Sequence, residues 1–177
     1  MTARDGHAGA SGSGAPIPAP LQLYSASVAP EWVDYNDHLS EWAYLLIFGD
    51  SSDAFFRYVG VDEAYRASGR SLYTAETHLR HLREVKLNQQ LTLTLQLLGV
   101  DSRRLHLLHQ MYRGGECAAT AEQLLLHVDT RAGRVAAFSA QLAATLERIA
   151  SAHAELAVPA FVGRPIRAPD GGGGHGS

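Results

Sequence analysis

One short segment, Asp34-Tyr35-Asn36-Asp37-His38-Leu39-Ser40, brings a carboxylate, an amide and an imidazole to the start of a long apolar stretch. Ser40 is a favourable residue for the N-terminus of a helix, and Glu41 follows it in the first turn. A helix start presents unpaired backbone N–H groups and the positive end of the helix dipole. Such amides can stabilise an oxyanion while a nearby carboxylate activates water. This combination suits acyl transfer to water.

Each polar residue of this segment has a functional and a structural explanation. Asp34 is the first candidate for a catalytic carboxylate, acting as a general base or as a nucleophile, and the sequence does not separate these two routes. Asp34 and Asn36 could equally be turn residues, because both side chains hydrogen-bond to their own backbone in turns. His38 could polarise a carbonyl group, although a single histidine beside a helix is more often structural.

The elements that must position these residues follow from the period of the apolar side chains. Leu21–Val28 alternates as a strand does, and Glu41–Tyr58 is apolar on more than one side, which predicts a buried helix ended by Gly60. Hairpin turns between the later strands favour an antiparallel sheet. The later segments predict a short helix, five strands and a final helix over 62–68, 71–85, 91–97, 105–112, 117–128, 134–138 and 140–157. The predicted fold class is α+β, with an antiparallel sheet wrapped around a long central helix.

Two further acids, Glu76 and Glu84, fall in the predicted strand 71–85. Their even separation places both on one face of that strand, together with His78. One of the two acids could bind or activate water. An exposed strand face, on which the acids pair with Arg80 and Arg83, explains them equally well.

The central helix carries a rival pair of acids, Asp50 and Asp53. Asp53 and Arg57 have the spacing of an i,i+4 ion pair, which is a structural explanation. The rival acids therefore rank below Asp34.

Four histidines could suggest a metal site, but their spacing argues against it. His78 and His81, like His106 and His109, lie three residues apart on predicted strands, so each pair points to opposite faces. Cys117 is the only cysteine, and no cysteine cluster accompanies the histidines. No metal site is predicted.

Composition favours a single domain of a cytoplasmic protein. The chain has 177 residues and a formal charge of −3, so no basic field points to nucleic acid. It contains no apolar run long enough to span a membrane and no basic-then-apolar leader. Residues 1–18 and the Gly-rich 163–177 are predicted to be disordered tails around a domain of residues 19–162. An uncovered sheet edge and helix end predict at least a dimer.

The element order and the segment before the central helix resemble the hotdog-fold acyl-CoA thioesterases of the 4-hydroxybenzoyl-CoA thioesterase-like group. In one branch of that family the catalytic Asp stands where Asp34 does. The spacing also resembles the Asp-x-Asn-x-His…Tyr pattern of plant acyl-carrier-protein thioesterases, although Ser40-Glu41 replaces an Asn pair. Arg83-Glu84 is similar to a functional Arg-Arg-Glu there. The residues that match this pattern are Asp34, Asn36, His38 and Tyr44.

The resemblance implies an enzyme that hydrolyses an acyl-CoA, with no metal or cofactor apart from the coenzyme A of its substrate. It implies a homo-oligomer, either a dimer or a dimer of dimers. The expected catalytic residues are Asp34, Asn36, His38 and Glu84, and the expected substrate-binding residues are Ser40, Tyr44, Glu76, Trp32 and Tyr73. Alternatives are a hotdog dehydratase or hydratase, which would place a His within the helix, and a non-catalytic module that binds acyl-CoA or a small metabolite.

The chain is also similar to the thioesterases of carnitine and betaine metabolism, which act on betainyl-CoA. Aromatic rings bind a quaternary ammonium through cation–π attraction, and at least half of the nearby aromatic residues could instead pack in the core. These aromatic residues are Trp32, Tyr35, Trp42, Tyr44, Tyr65 and Tyr73. The candidate partners of the CoA phosphates are Arg80, Arg83, Lys86, Arg103, Arg104 and Arg113.

Overall fold

A computed structural model describes residues 16–166 and contains one antiparallel sheet with three α-helices and a short 3-10 helix at Pro30–Trp32. The strands are β1 (Leu21–Ser27), β2 (Arg70–His81), β3 (Gln90–Val100), β4 (Arg104–Arg113), β5 (Glu116–Asp129) and β6 (Arg134–Val135). The helices are α1 (Glu41–Tyr58), α2 (Glu63–Ala67) and α3 (Ala140–His153). The strand order is β1-β3-β4-β5-β2, and β6 pairs with the end of β5. Sheet and central helix confirm the predicted fold class.

Helix α1 begins and ends where the sequence predicts. Ser40 has the extended backbone of an N-cap, but its side chain makes no capping hydrogen bond. At the other end Gly60 has a φ of 88°, which a residue with a Cβ adopts only with strain. The Val61 N–H donates to the Phe56 carbonyl at 2.8 Å, closing the helix in a Schellman motif with the Val61 side chain fully buried.

The core divides into two apolar clusters along α1. The N-terminal half of the helix contributes Ala43, Tyr44, Ile47 and Phe48 to the first cluster, which packs on β3, β4 and β5. The C-terminal half contributes Phe55 to the second cluster, which α3 completes. In the single chain only one face of α1 is buried. Its N-terminal half exposes three large side chains on the other face. These are Trp42 at 54 %, Leu45 at 50 % and Leu46 at 40 %.

The strand predicted over 71–85 is too long, because β2 ends at His81. The N–H groups of Leu82 and Arg83 both donate to the Ala118 carbonyl, at 2.8 and 3.0 Å, so the regular ladder with β5 stops there. Residues 82–89 then form a loop that returns to β3. This difference moves Glu84 off the strand and into the loop.

The segments that flank the predicted domain 19–162 contact helix α3 and the sheet where the structure describes them. The Pro18 carbonyl accepts a hydrogen bond from His153 Nε2 at 3.1 Å, and the Gly163 N–H donates to Glu122 at 3.0 Å. The remainder of the predicted tails, 1–15 and 167–177, lies outside the described residues. Among the helices of residues 16–166, none has the length and apolar character required to cross a membrane.

Candidate active site

A cleft of about 550 Å³ opens at the start of α1, between the loop that precedes the helix and loop 82–89. An antiparallel bridge between His38 and Lys86 ties the two loops together, and the Leu39 N–H donates to the Val85 carbonyl at 2.7 Å. The cleft is lined by His38, Leu39, Glu41, Tyr44, His81, Leu82, Arg83, Glu84 and Val85. Three of the residues predicted from the sequence, His38, Tyr44 and Glu84, therefore line one cavity, whereas Asp34 and Asn36 lie in the preceding loop outside its lining.

Asp34 shapes the loop before the helix. Its Oδ1 accepts hydrogen bonds from the Asn36 N–H at 2.8 Å and the His38 N–H at 3.2 Å, and its own N–H donates to the His38 carbonyl at 2.8 Å. Asp37 completes this turn with a positive φ of 59°. Asp34 is therefore a turn residue, as its structural explanation predicts. Only one carboxylate oxygen is used, and Oδ2 has no partner among the described residues.

The first turn of α1 leaves backbone donors available at the cleft. The Ala43 N–H donates to the Ser40 carbonyl at 3.0 Å, whereas the amides of Glu41 and Trp42 have no acceptor within residues 16–166. Because Ser40 does not cap them with its side chain, these N–H groups can bind an oxygen atom that enters the cleft.

His38 and Glu84 meet in the cleft across the two loops. His38 Nε2 lies 3.4 Å from Glu84 Oε2, and the Glu84 side chain is 67 % exposed. The two side chains are brought together by the pairing of the loops and not by a shared strand. Glu84 can therefore orient the imidazole or meet a ligand directly.

Tyr44 forms the wall of the cleft on the helix side. Its side chain is only 5 % exposed, and its ring packs edge-on against His81 with the centroids 4.5 Å apart. Burial raises the pKa of the Tyr44 hydroxyl, an effect that nearby Arg113 opposes and nearby Glu84 reinforces. Among the described residues the hydroxyl has no hydrogen-bond partner, so it remains available to a ligand.

Glu76 does not share a face with Glu84, which corrects the prediction made for a continuous strand. Glu76 lies in a separate groove of about 650 Å³ on the outer face of the sheet, with His78, His106 and Glu122. There Glu122 Oε1 is 2.7 Å from His106 Nε2 and accepts the Gly163 N–H. Among residues 16–166 no helix begins at this groove, so they supply it with no free backbone amides like those of the cleft.

Most of the aromatic residues expected near the site are not gathered in a single chain. Tyr35 is 96 % exposed, while Trp32 packs against the first core cluster. Tyr65 donates its hydroxyl hydrogen bond to His127 at 2.8 Å beside the second cluster. Trp42 is exposed on α1 and Tyr73 on the edge strand β2. Of the six, only Tyr44 lines the cleft.

The rival acids of α1 have structural surroundings. Asp50 Oδ2 accepts the Tyr24 hydroxyl at 2.9 Å, and burial with this hydrogen bond raises the pKa of Tyr24 to about 12. Asp53 is exposed and, within residues 16–166, forms no ion pair with Arg57, so the predicted i,i+4 pair is wrong.

The four strand histidines separate as their spacing predicts. His78 and His106 face the outer groove, whereas His81 contacts Tyr44 and His109 is fully buried. Within the described part of the chain, no group of three or more His, Cys, Asp or Glu side chains is placed to hold a metal ion.

Sequence reasoning missed a buried polar network between the two core clusters. Ser51 Oγ lies 3.2 Å from His109 Nδ1, and Ser52 Oγ lies 3.3 Å from His109 Nε2 and 3.0 Å from Gln123 Oε1. Burial lowers the pKa of His109 to about 4, so this imidazole is neutral and ties α1 to the sheet. A Ser-Ser pair inside an apolar helix pattern was the available signal.

Four of the predicted phosphate-binding residues have other partners. Arg80 lies 4.2 Å above the Phe161 ring, Arg104 Nε lies 2.6 Å from Asp101 Oδ2, and Arg113 Nη2 lies 3.6 Å from Glu116. Arg83 Nη1 donates to the Leu82 carbonyl at 3.1 Å. Phosphate binding by these residues stays a prediction.

An antiparallel sheet curled around one central helix, with a polar cleft at the helix start, defines the hotdog class of proteins. Residues 28–146 match the thioesterase-like superfamily. A betainyl-CoA thioesterase of Pseudomonas aeruginosa is 45 % identical over 152 residues, covering 84 % of this chain and 96 % of that protein. The chain therefore belongs to the thioesterase-like superfamily.

Some relatives are much longer. An L-carnitine dehydrogenase/betainyl-CoA thioesterase of Rhizobium meliloti is 47 % identical over 149 residues, which cover 83 % of this chain but 30 % of that protein. The chain thus spans about a third of these bifunctional relatives. A solved structure from Pseudomonas putida, provisionally called a thioesterase, has a TM-score of 0.75 and 34 % identity over 87 % of this chain and 99 % of that one.

Proposed function

We propose that this protein hydrolyses the thioester bond of an acyl-CoA, releasing coenzyme A and a carboxylic acid. The observation that carries the proposal is the cleft at the start of α1, where free backbone amides, two carboxylates and an imidazole surround one cavity in a chain of the thioesterase-like superfamily. A protein from Staphylococcus aureus, solved in complex with CoA, has a TM-score of 0.80 and 24 % identity to this chain. Its likeness supports the choice of fold.

The amides of Glu41 and Trp42 would hold the thioester oxygen. Negative charge develops on that oxygen as the carbonyl carbon becomes tetrahedral, and preorganised N–H donors stabilise it more than they stabilise the ground state. The positive end of the α1 dipole adds to this effect. Asn36 and His38, in the loop just before the helix, would orient the thioester or its attacking water.

Asp34 is the proposed catalytic carboxylate, through its free Oδ2. As a general base it would take a proton from water while the water oxygen bonds to the carbonyl carbon. As a nucleophile it would form an anhydride that water then cleaves. In both routes the C–S bond breaks, the CoA thiolate leaves and takes up a proton, and no redox partner is needed. Glu84, beside His38, is the second carboxylate of the site.

The proposal is tested by incubating the purified chain with short-chain, long-chain, aromatic and betainyl CoA thioesters and measuring free thiol. Thiol release that rises with enzyme concentration is expected for at least one thioester, with and without a metal chelator. Binding of every thioester without thiol release would instead identify a non-catalytic binding module. Formation of a new double bond or hydroxyl group with the thioester intact would identify a dehydratase or hydratase.

Betainyl-CoA is the first acyl group to test, because it appears in the names of relatives at 45 % and 47 % identity. We infer that this chain shares that substrate. The cytoplasmic location expected from the sequence stays a prediction.

We also infer that the chain acts as a homodimer, or as a dimer of such dimers. Strand β2 is an edge of the sheet, and Tyr73, Thr74 and Ala75 on it are exposed. Next to it α1 exposes Trp42, Leu45 and Leu46, and a Cβ at Gly49 would meet no atom within 4 Å. A second copy, paired along β2 with its α1 beside this one, would cover both the strand edge and the apolar side chains.

Replacing Leu46 by Glu is expected to convert the dimer into a monomer. Leu46 is 40 % exposed in the single chain, so a Glu is tolerated by the monomer but places an unpaired charge in the proposed interface. Light scattering after size-exclusion chromatography measures the mass. Ala144→Glu, on the exposed side of α3, is the matched control and should leave the mass unchanged. A wild-type chain that is monomeric at micromolar concentration would contradict the interface.

A further inference from the structure

The cleft at the start of α1 is acidic. The start of α1 contributes Glu41 to its lining and loop 82–89 contributes Glu84, whereas Asp34 and Asp37 lie in the adjoining loop outside the lining. Within the part of the chain that the structure describes, Glu41 has no ion pair, and the single charged neighbour of Glu84 within 4 Å is His38. The cleft therefore holds carboxylates without a permanent counter-ion.

Neither guanidinium near the cleft pairs with these acids, because Arg113, near Tyr44, lies 3.6 Å from Glu116 instead. Arg83 lines the cavity, but its Nη1 donates to the backbone carbonyl of Leu82, and it lies beyond 4 Å from any carboxylate of residues 16–166. An acidic cavity repels the phosphates of coenzyme A. The acyl end of the substrate, and not its nucleotide end, therefore belongs in this cleft.

The wall of the cleft is aromatic. Only 5 % of the Tyr44 surface is exposed, and its hydroxyl has no hydrogen-bond partner among the described residues. The His81 ring packs edge-on against it at 4.5 Å. A quaternary ammonium has no N–H to donate, so it is held by ring faces, methyl contacts and carboxylates at short range. The cleft is lined by two such rings, Tyr44 and His81, and by two carboxylates, Glu41 and Glu84.

We propose that Glu41 and Glu84 make this cleft selective for an acyl group with a fixed positive charge, and that Tyr44 and His81 form the aromatic wall against its methyl groups. This inference rests on the proposed function, because it concerns the acyl end of the same thioester. It assigns Glu84 a role in specificity whether or not Glu84 also takes part in the chemical step.

The test compares two substrates of nearly the same shape. Betainyl-CoA ends in a trimethylammonium group, and 3,3-dimethylbutanoyl-CoA ends in a tert-butyl group, so the pair differs in charge and hardly in volume. The ratio of their kcat/KM values measures selectivity for charge and cancels any equal loss in the chemical step. The wild-type chain should prefer the charged substrate.

Glu84→Gln and Glu41→Gln are each expected to lower this ratio on the order of tenfold, because each removes a full charge near the ligand. The double variant should lower it further, and the loss should shrink in high salt. Glu147→Gln, on the exposed side of α3, changes the net charge equally and should keep the wild-type ratio.

Two results would overturn the inference while leaving hydrolysis intact. One is a wild-type chain without preference between the two substrates, and the other is a ratio that neither Gln variant changes. If no thioester is cleaved, the proposed function fails, and the same ratio is then taken from dissociation constants of non-hydrolysable thioether analogues. Equal affinities for the charged and neutral analogues would overturn the inference there too.

Discussion

Replacing Asp34 by Asn is expected to lower kcat for thioester hydrolysis by on the order of 10²- to 10⁴-fold, the usual contribution of a positioned acid or base. The substitution keeps the turn, because an amide oxygen can still accept the hydrogen bonds that Oδ1 receives from Asn36 and His38. It removes the basic and nucleophilic oxygen. Steady-state thiol release at saturating substrate measures the loss, and an unchanged unfolding midpoint shows that the fold is kept.

Asp37→Asn is the matched control for that experiment. Asp37 lies in the same turn and is exposed, and Asn tolerates its positive φ of 59° as well as Asp does. We expect this variant to retain near-wild-type turnover. If Asp34→Asn retains it as well, the hypothesis for Asp34 is wrong, and Glu84 is the carboxylate to test next. Asp50 and Glu76 are weaker candidates for the catalytic carboxylate, since Asp50 accepts a hydrogen bond from Tyr24 and Glu76 faces the outer groove.

Stability against unfolding is expected to fall by about 3 kcal/mol as the pH drops from 6.5 to 4, given that each pKa unit corresponds to about 1.4 kcal/mol. The main cause is His109, whose pKa burial lowers to about 4 from the ordinary 6.5. In this window the unfolded chain binds a proton that the folded chain does not, so acid favours unfolding. Above pH 6.5 His109 is neutral in both the folded and the unfolded state, so it adds no further pH dependence to the free energy of unfolding.

His153 acts in the same direction. Burial lowers its pKa, while its hydrogen bond to the Pro18 carbonyl opposes that effect. Its Nδ1 accepts the Leu97 N–H at 2.9 Å, a hydrogen bond that a protonated ring cannot accept. Hydrogen bonds and nearby arginines lower the pKa values of Asp101 and Asp129 below the ordinary 3.8. These two shifts affect the free energy of unfolding only at a pH below that ordinary value.

Urea unfolding at pH 7.5, 5.5 and 4.5, at one protein concentration, measures this dependence. His109→Gln keeps a donor and an acceptor for Ser51 and Ser52, so it should fold with lower stability and a shallower dependence on pH. His106→Gln, in the outer groove, is the matched surface control and should retain the wild-type slope. An equal slope in wild type and His109→Gln would assign the pH dependence to other groups.

The sequence predicted the elements of this fold well wherever the signal is local. The bounds of α1 agree at both ends, since a cap residue, apolar spacing and Gly60 all act within one segment. The hairpin turn at Gly114-Gly115 is also a local signal, because both glycines take the positive φ values that a two-residue turn requires. The end of β2 was misread, because its partner β5 lies more than thirty residues away and decides where the ladder stops.

By itself the sequence determined the fold class and placed a carboxylate, an amide and an imidazole before a helix, because side-chain period and capping are properties of neighbouring residues. Only the tertiary structure decided that Glu84 meets His38 while Glu76 faces the outer groove, and that His109 is buried between Ser51 and Ser52. Those contacts depend on strand register and on the path of the loops that return to the helix. Burial then determines which side chains keep their charge.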